Sequence, residues 1–157
     1  MPHSSSQRLP GRIAGIDFGT VRIGIAISDP GRVIASPMEN YARRSTEQDA
    51  QRFRRLVADE DVTLFVVGLP VHLDGHESQK SLEAREFGQW LNEITGVPVE
   101  FFDERFTSKE SEQLLLGAEL TSKRRKKRLD MVAAQIMLSA YLESHAKGKQ
   151  EPGALDD

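Results

Sequence analysis

Two short apolar segments of this chain end in carboxylates, and a third acid opens its last helical stretch. Asp17 stands at the end of the apolar run that begins at Ile13 and is followed by Phe18-Gly19-Thr20, while Asp103-Glu104 follows the run Val99 to Phe102. Asp130 falls in the first turn of the final helical pattern, one residue off its apolar stripe, where it could point along the flank toward the same strand ends. Clustered carboxylates repel one another and stay ionised only when cations offset them. Hard oxygen donors of this kind suit Mg²⁺ or Mn²⁺, so a metal site is the natural expectation. Taken singly, each acid has a plainer role. Asp17 before Gly19 could start a turn, Asp130 could favour a helix N-terminus, and Glu104 could pair with Arg105 at the surface.

The second feature is Lys123-Arg124-Arg125-Lys126-Lys127-Arg128, six consecutive cations directly before Asp130. Such a run is commonly a solvated segment. Beside a carboxylate cluster it would instead supply phosphate contacts for metal-assisted attack on a nucleic-acid backbone, and Arg22, Arg105 and Lys109 could extend that surface. Other candidates are weaker. His72 and His76 are four apart but lie in a Pro/Gly-bounded loop, so their spacing is no zinc signature. Ser78, Ser108 and Ser111 sit in nothing resembling a nucleophile elbow, and Asp17-Phe18-Gly19 matches the kinase triplet without the other kinase motifs.

The chain has 157 residues, 38% hydrophobic and 29% charged, which suits one compact domain. It contains no cysteine, so disulfides, Cys-ligated zinc, iron–sulfur clusters and thiol nucleophiles are excluded. With 21 Lys+Arg against 24 Asp+Glu the formal net charge is -3, and any polyanion site must come from local clustering. The longest apolar run, Leu64 to Leu69, is far short of a membrane span, and no signal segment opens the chain. A soluble, unexported protein is expected. Residues 1–10 and 146–157 read as flexible tails around a single domain over 11–145.

The elements that must position these residues follow from periodicity. Ile13 to Phe18 is a strand. Ile23, Ile25 and Ile27 alternate with small residues as a second, and Val33 to Ala35 follow an Asp29-Pro30-Gly31 turn as a third. Ser45 with Gln48 forms a capping box ahead of an amphipathic helix through Ala50, Phe53, Leu56 and Val57. Leu64 to Leu69, apolar on both faces, reads as a central parallel strand stopped by Pro70. Leu82, Phe87, Leu91 and Ile94 mark a second helix closed by Gly96 and Pro98, with Phe87 and Trp90 read as core. Val99 to Phe102 is a fifth strand. Thr107 with Glu110 caps a helix through Leu114 and Leu115, ended by Gly117. The last helix carries Leu129, Val132, Ala133, Ile136, Met137 and Ala140 as its stripe. This order predicts an α/β fold: a mixed five-stranded sheet, an antiparallel meander plus parallel strands, with helices on both faces and ligands at the carboxyl ends of the parallel strands.

Several segments together resemble one family. These are Gly15-Ile16-Asp17-Phe18-Gly19-Thr20-Val21-Arg22 through Asp29, Val67-Gly68-Leu69-Pro70 with Asp74-Gly75, Asp103-Glu104-Arg105-Phe106-Thr107, and the basic run leading into Asp130-Met131-Val132-Ala133-Ala134. From about Arg12 to Leu142 the chain is similar to the YqgF/RuvX family, the Holliday-junction-resolvase-like pre-16S rRNA nucleases of bacteria. The resemblance implies a ribonuclease H-like fold and a cytoplasmic nuclease that matures the 5′ end of small-subunit rRNA. It makes Asp17, Glu104 and Asp130 the catalytic acids, and it makes Arg22 and Arg105 residues that contact phosphate or order those acids. The loop Val71 to Ser78 departs from the family pattern, with Val71-His72-Leu73 and Glu77-Ser78 in place of the usual Leu-Asn-Met and Gly.

The expected mechanism is phosphodiester hydrolysis with two Mg²⁺ or Mn²⁺ ions about 3.5–4 Å apart. Asp17 would bridge them, Glu104 and Asp130 would each hold one, and Lys123 to Arg128 would engage the strand through phosphates. The partner is RNA, as pre-16S rRNA or a ribosomal precursor particle, or else branched DNA, with the chain acting as monomer or homodimer and away from membranes. Two other readings compete. One is a phosphotransferase of the actin and sugar-kinase type, for which the chain is one lobe short. The other is a non-catalytic RNA- or ribosome-binding module.

Overall fold

A computed structural model of the chain describes residues 9–70, 78–106 and 131–146. Five strands form one sheet: β1 (Arg12–Asp17), β2 (Arg22–Ser28), β3 (Ala35–Ala42), β4 (Val62–Leu69) and β5 (Val99–Asp103). Their order is β3-β2-β1-β4-β5. β1–β2 and β2–β3 are antiparallel, while β1–β4 and β4–β5 are parallel. Helices α1 (Thr46–Glu60) and α2 (Gln79–Thr95) make the crossovers, and α3 (131–146) is the last described helix.

Strand alternation sorts the core into two layers. Ala14, Ile16, Ile23, Ile25, Phe65, Val67 and Leu69 pack with Phe53 and Leu56 of α1 and Phe87 and Leu91 of α2. Their sequence neighbours Ile13, Ala26, Leu64 and Val66 face the other way, against Ala134, Met137, Leu138, Tyr141 and Leu142 of α3. Small residues on that second face let α3 come close. A Cβ on Gly15 would stand 3.0 Å from Leu138 Cβ and 3.4 Å from the Ala134 carbonyl oxygen.

The capping box at Ser45 forms with both halves present: Ser45 accepts from the Gln48 amide and Gln48 reaches back to the Ser45 amide. Gly96 ends α2 in the left-handed conformation, as its position after the apolar stripe predicts. Phe87 is buried and Trp90 is packed against the same layer.

Three local expectations change. The third strand is Ala35–Ala42 and does not begin at Val33. Val33 and Ile34 are 73% and 65% exposed, because the Asp29 carboxylate takes their two amides, each at 2.7 Å, and that of Gly31 at 3.1 Å, turning the chain before the strand can start. β3 itself, with Pro37 and polar residues, has the composition of an edge strand, and its pairing with β2 shifts register between Ile25 and Ala26. On α3, Ile136 and Met137 are buried as expected, but Ala133 is exposed and Ala140 only half-buried, and the stripe against the sheet runs Ala134, Met137, Leu138, Tyr141, Leu142. Leu82 is 48% exposed, and the buried positions of that turn are Ser81 and Ala84. The helix expected from Thr107 to Gly117 lies outside the described residues.

The Asp29 turn yields a stability prediction. The amide of Ile34, ahead of the cost of burial and helped by those of Val33 and Gly31, holds the Asp29 carboxyl below its ordinary value of 3.8. A lowered folded-state pKa stabilises above the unfolded value and is lost as pH falls through the folded one. Replacing Asp29 with Ala is therefore expected to cost about 1–2 kcal/mol at neutral pH. In urea titrations the difference from wild type should shrink as pH is taken below about 4.

Candidate active site

The first acid, Asp17, ends β1 on the α3 face, since Ile13 and Gly15 lie on that side and Ala14 and Ile16 on the other. The parallel pairing of β1 with β4 runs through Ile16 opposite Val67, so the next rung sets Asp17 beside Gly68. Gly68 shares the α3 face with Leu64 and Val66. The second acid, Glu104, opens a one-turn 3₁₀ helix (Glu104–Phe106) immediately after β5. Its carboxylate folds back over β4: a Cβ on Gly68 would lie 2.6 Å from Glu104 Oε2 and 3.3 Å from Cδ. Both acids thus lie on one face at the carboxyl end of the parallel strands, Asp17 closing β1 and the Glu104 carboxylate lying over Gly68 on the neighbouring strand β4. Both are partly buried.

The neighbour of Glu104 has a different task. Asp103 accepts from the Arg105 amide at 2.8 Å and from its Nε and Nη2 at 2.8 and 2.6 Å, a two-pronged clip that holds the strand exit in shape. The Arg105 guanidinium, ahead of the opposing cost of burial, keeps the Asp103 carboxyl below its usual range. Of the two adjacent acids, then, Asp103 neutralises Arg105 and Glu104 reaches the site. The expected phosphate contact Arg105 is engaged in this clip.

The β1–β2 turn forms the lip of the site. A Cβ on Gly19 would strike the Arg22 carbonyl at 2.4 Å, so the turn closes this tightly only with glycine. An open cavity of about 270 Å³ is lined here by Asp17, Phe18, Gly19, Thr20, Val21, Arg22 and, from the first turn of α2, Lys80. It sets two cationic side chains beside one acid. Arg22, the first residue of β2, is exposed, as a phosphate contact must be. Ser78 is the N-cap of α2, accepting from the Ser81 amide at 3.1 Å.

Asp130, Lys109 and the basic run Lys123, Arg124, Arg125, Lys126, Lys127, Arg128 lie outside the described residues, as do Val71–Glu77, with His72 and His76, and Ser108 and Ser111. Among the described residues no group of three or more His, Cys, Asp or Glu is assembled. No helix among them is long and apolar enough to cross a membrane. Gly68 and Lys80 are the site residues that sequence reasoning did not assign. A lone glycine in a central strand of bulky residues was the available signal for Gly68, because such glycines mark a close approach. An exposed lysine in a first helical turn carried none.

The profile of the RuvX family, described as Holliday junction resolvase, matches residues 11–144. This chain belongs to the RuvX family. Among its relatives, a Rhodopirellula baltica protein named "Putative pre-16S rRNA nuclease" is 48% identical over 134 residues, 85% of this chain and 78% of that one. A Koribacter versatilis protein of the same name is 37% identical, covering 90% and 93%. The fold is shared with Thermus thermophilus RuvC in complex with Holliday junction substrate, at a TM-score of 0.54 and 14% identity over 86% of this chain and 96% of that one. It is shared too with the yeast mitochondrial Holliday junction resolvase, at 0.54 and 10% over 91% and 82%. The RuvX chain thus has the ribonuclease H-like architecture of these resolvases.

In this RuvX chain Gly68 is the test of the site's geometry. Gly68→Ala should leave the fold intact, since the group it strikes is the end of a side chain that can swing away. A crystal structure of the variant is expected to show the Glu104 carboxylate displaced from β4 while β1, β4 and β5 superpose on the wild type.

Proposed function

We propose that this RuvX-family chain is a metal-dependent endonuclease of structured nucleic acid that processes the 5′ end of pre-16S rRNA, with Asp17, Glu104 and Asp130 as catalytic acids. The observation that supports this reading is the placing of Asp17 and Glu104 on one face of the sheet, with the Glu104 carboxylate over Gly68 on the rung beside Asp17. Asp130 joins them on its place in the sequence. It precedes Ala134 by four residues in the sequence, and the Ala134 carbonyl borders Gly15, two residues before Asp17 on the same face.

Two partly buried carboxylates on one face would favour a bound cation, and their oxygen donors would fit Mg²⁺ or Mn²⁺. Such an ion, when bound, would offset charge on the phosphoryl oxygens and make a water acidic enough to attack. The chain's own part is to hold and orient. Asp17 and Glu104 present oxygen donors from rigid strand ends, with Asp130 completing the set, and Arg22 binds phosphate at the lip. Lys123 to Arg128 track the backbone of the strand without reading bases. Arg105, clipped by Asp103, fixes the exit of β5 that carries Glu104.

The RNA substrate rests on the names of the curated relatives, and with it goes action in the cytoplasm by one nuclease domain over residues 11–145, as monomer or homodimer. The family's own description favours a second substrate, branched DNA.

The deciding experiment is cleavage of a 5′-extended small-subunit rRNA precursor, beside a four-way DNA junction, in Mg²⁺, Mn²⁺ or EDTA, with wild type and Asp17→Asn. Metal-dependent cleavage of the RNA is expected, reduced about a hundredfold or more by the substitution while the far-UV spectrum is unchanged. Cleavage of the junction alone would select the DNA substrate. Salt-sensitive RNA binding with no cleavage of either would make the chain a binding module.

A further inference from the structure

The face of the sheet opposite the acids carries an arrangement that the proposed chemistry does not use. Asp49, near the start of α1, is 1% exposed, and its carboxylate is fully engaged. Tyr41 Oη donates to Oδ1 at 2.7 Å, the Arg44 amide donates to Oδ1 at 2.9 Å, and Arg43 Nε donates to Oδ2 at 3.3 Å. Ser45 already caps α1, so this buried carboxylate is a costly choice without a further role. Arg43 is what it holds. The guanidinium lies over two rings, 5.3 Å from the centroid of Phe18 and 5.7 Å from that of Phe87, and those rings pack on each other at 4.9 Å. The Arg43 amide also donates to the Val21 carbonyl at 2.9 Å.

Phe18 and Val21 bracket the turn that leaves β1 directly after Asp17. We infer that Arg43, anchored on the buried Asp49 carboxylate, is a positioning residue: it pins the β1–β2 turn from the far face of the sheet and so sets the direction in which Asp17 presents its carboxylate. Successive side chains of a strand point to opposite faces, so pinning the ring of residue 18 on one face determines where residue 17 points on the other. Val21 is exposed, and Gly19 contributes no side chain. Arginine suits the task because its planar fork donates to a carboxylate while its faces lie on aromatic rings, whereas lysine offers a point charge with neither property. Displacement of a reacting group by about 1 Å can cost a hundredfold in rate, so a clamp acting through the backbone has a large effect to exert.

The inference rests on the nuclease reading, and its test separates the two. Full-length Arg43→Lys, Arg43→Met and Asp49→Asn would be compared with Val62→Ala, a core truncation at the opposite end of the sheet that lowers stability without touching the turn. At a temperature where all are folded, the kcat for precursor cleavage should fall about tenfold or more in Arg43→Met and Asp49→Asn and less in Arg43→Lys, with KM within about twofold of wild type. In Val62→Ala kcat should be unchanged. Amide hydrogen exchange, which needs no activity, should show lost protection over residues 18–22 in the Arg43 variants and none in Val62→Ala. Protection kept in that turn would overturn the clamp whatever the activity does. So would a kcat that merely follows melting temperature through all four variants. Lost protection in a protein whose Asp17→Asn form cleaves as well as wild type would leave the clamp standing and remove Asp17 from the catalytic acids, whereas lost protection with no cleavage by wild type would remove the nuclease reading.

Discussion

The parallel pairing of β1 with β4 is the constraint on which the rest of this molecule depends. It brings two segments some fifty residues apart into register, and that register sets Asp17 next to Gly68. A slip of one residue would send Asp17 to the opposite face, among the rings of Phe53 and Phe87, away from Glu104 and at the cost of burying its charge. Register is protected because both faces of these strands are buried, so a slip would also exchange Ile16 with Gly15 and Val67 with Gly68. The large and small residues are matched to different neighbours on the two faces. The core and the site are therefore specified by the same alternation.

The two faces divide the work. The α1–α2 face is filled with isoleucine, phenylalanine and leucine, and its rings interlock around Phe53, which meets Tyr41, Phe65 and Phe87 edge-on. Such packing is stiff. The α3 face uses glycine, alanine and serine on β1 and β2, so a helix can approach closely and carboxylates can stand above β4 with nothing beneath them. Polar groups tie α3 across the sheet. Tyr141 donates to Glu100 on β5 at 2.7 Å, and Gln135 donates to the Ala35 carbonyl on β3 at 3.2 Å, so the helix spans from one edge strand to the other. Burial and the Glu100 carboxylate push the Tyr141 hydroxyl well above its ordinary pKa, which keeps it a donor across the whole working range.

Much of this was legible in the sequence, and the exceptions have causes. Period-two isoleucines in β2, the Ser45 capping box and the doubly apolar β4 are signals in which local preference and tertiary role agree, so reading one reads the other. β3 was misplaced because its position follows from hydrogen bonds to the Asp29 carboxylate. An exposed Val33-Ile34 pair looks like a strand until that competing partner is known. On α3 the expected Ile136 and Met137 are buried, whereas Ala133 is exposed and Ala134 takes the inward place beside Gly15. Alanines and β-branched residues lie on several sides of that helix, and only the depth of Gly15 beneath it decides which side faces in. At the site, the acids were legible as types at strand ends. The assignment of Asp103 to Arg105 and of Glu104 to Gly68 was not, because adjacent acids differ only in where a 3₁₀ turn aims them.

That aiming is itself a physical consequence of the clip. A strand that ended freely at Asp103 would let Glu104 sample many directions, and a mobile carboxylate binds a cation weakly because ordering it costs side-chain entropy of up to about 2 kcal/mol. Asp103 meets that cost within the fold. By accepting from both the amide and the guanidinium of Arg105 it bends the chain into the 3₁₀ turn, and the turn carries Glu104 back over the one position in β4 that lacks a side chain. On β1, where Asp17 runs into a tight glycine turn, the corresponding task falls to residues of the opposite face. Two acids that must meet are thus steadied by two different devices, one local in sequence and one reaching through the sheet. Each is built from an arginine paired with an aspartate that takes no direct part in the chemistry.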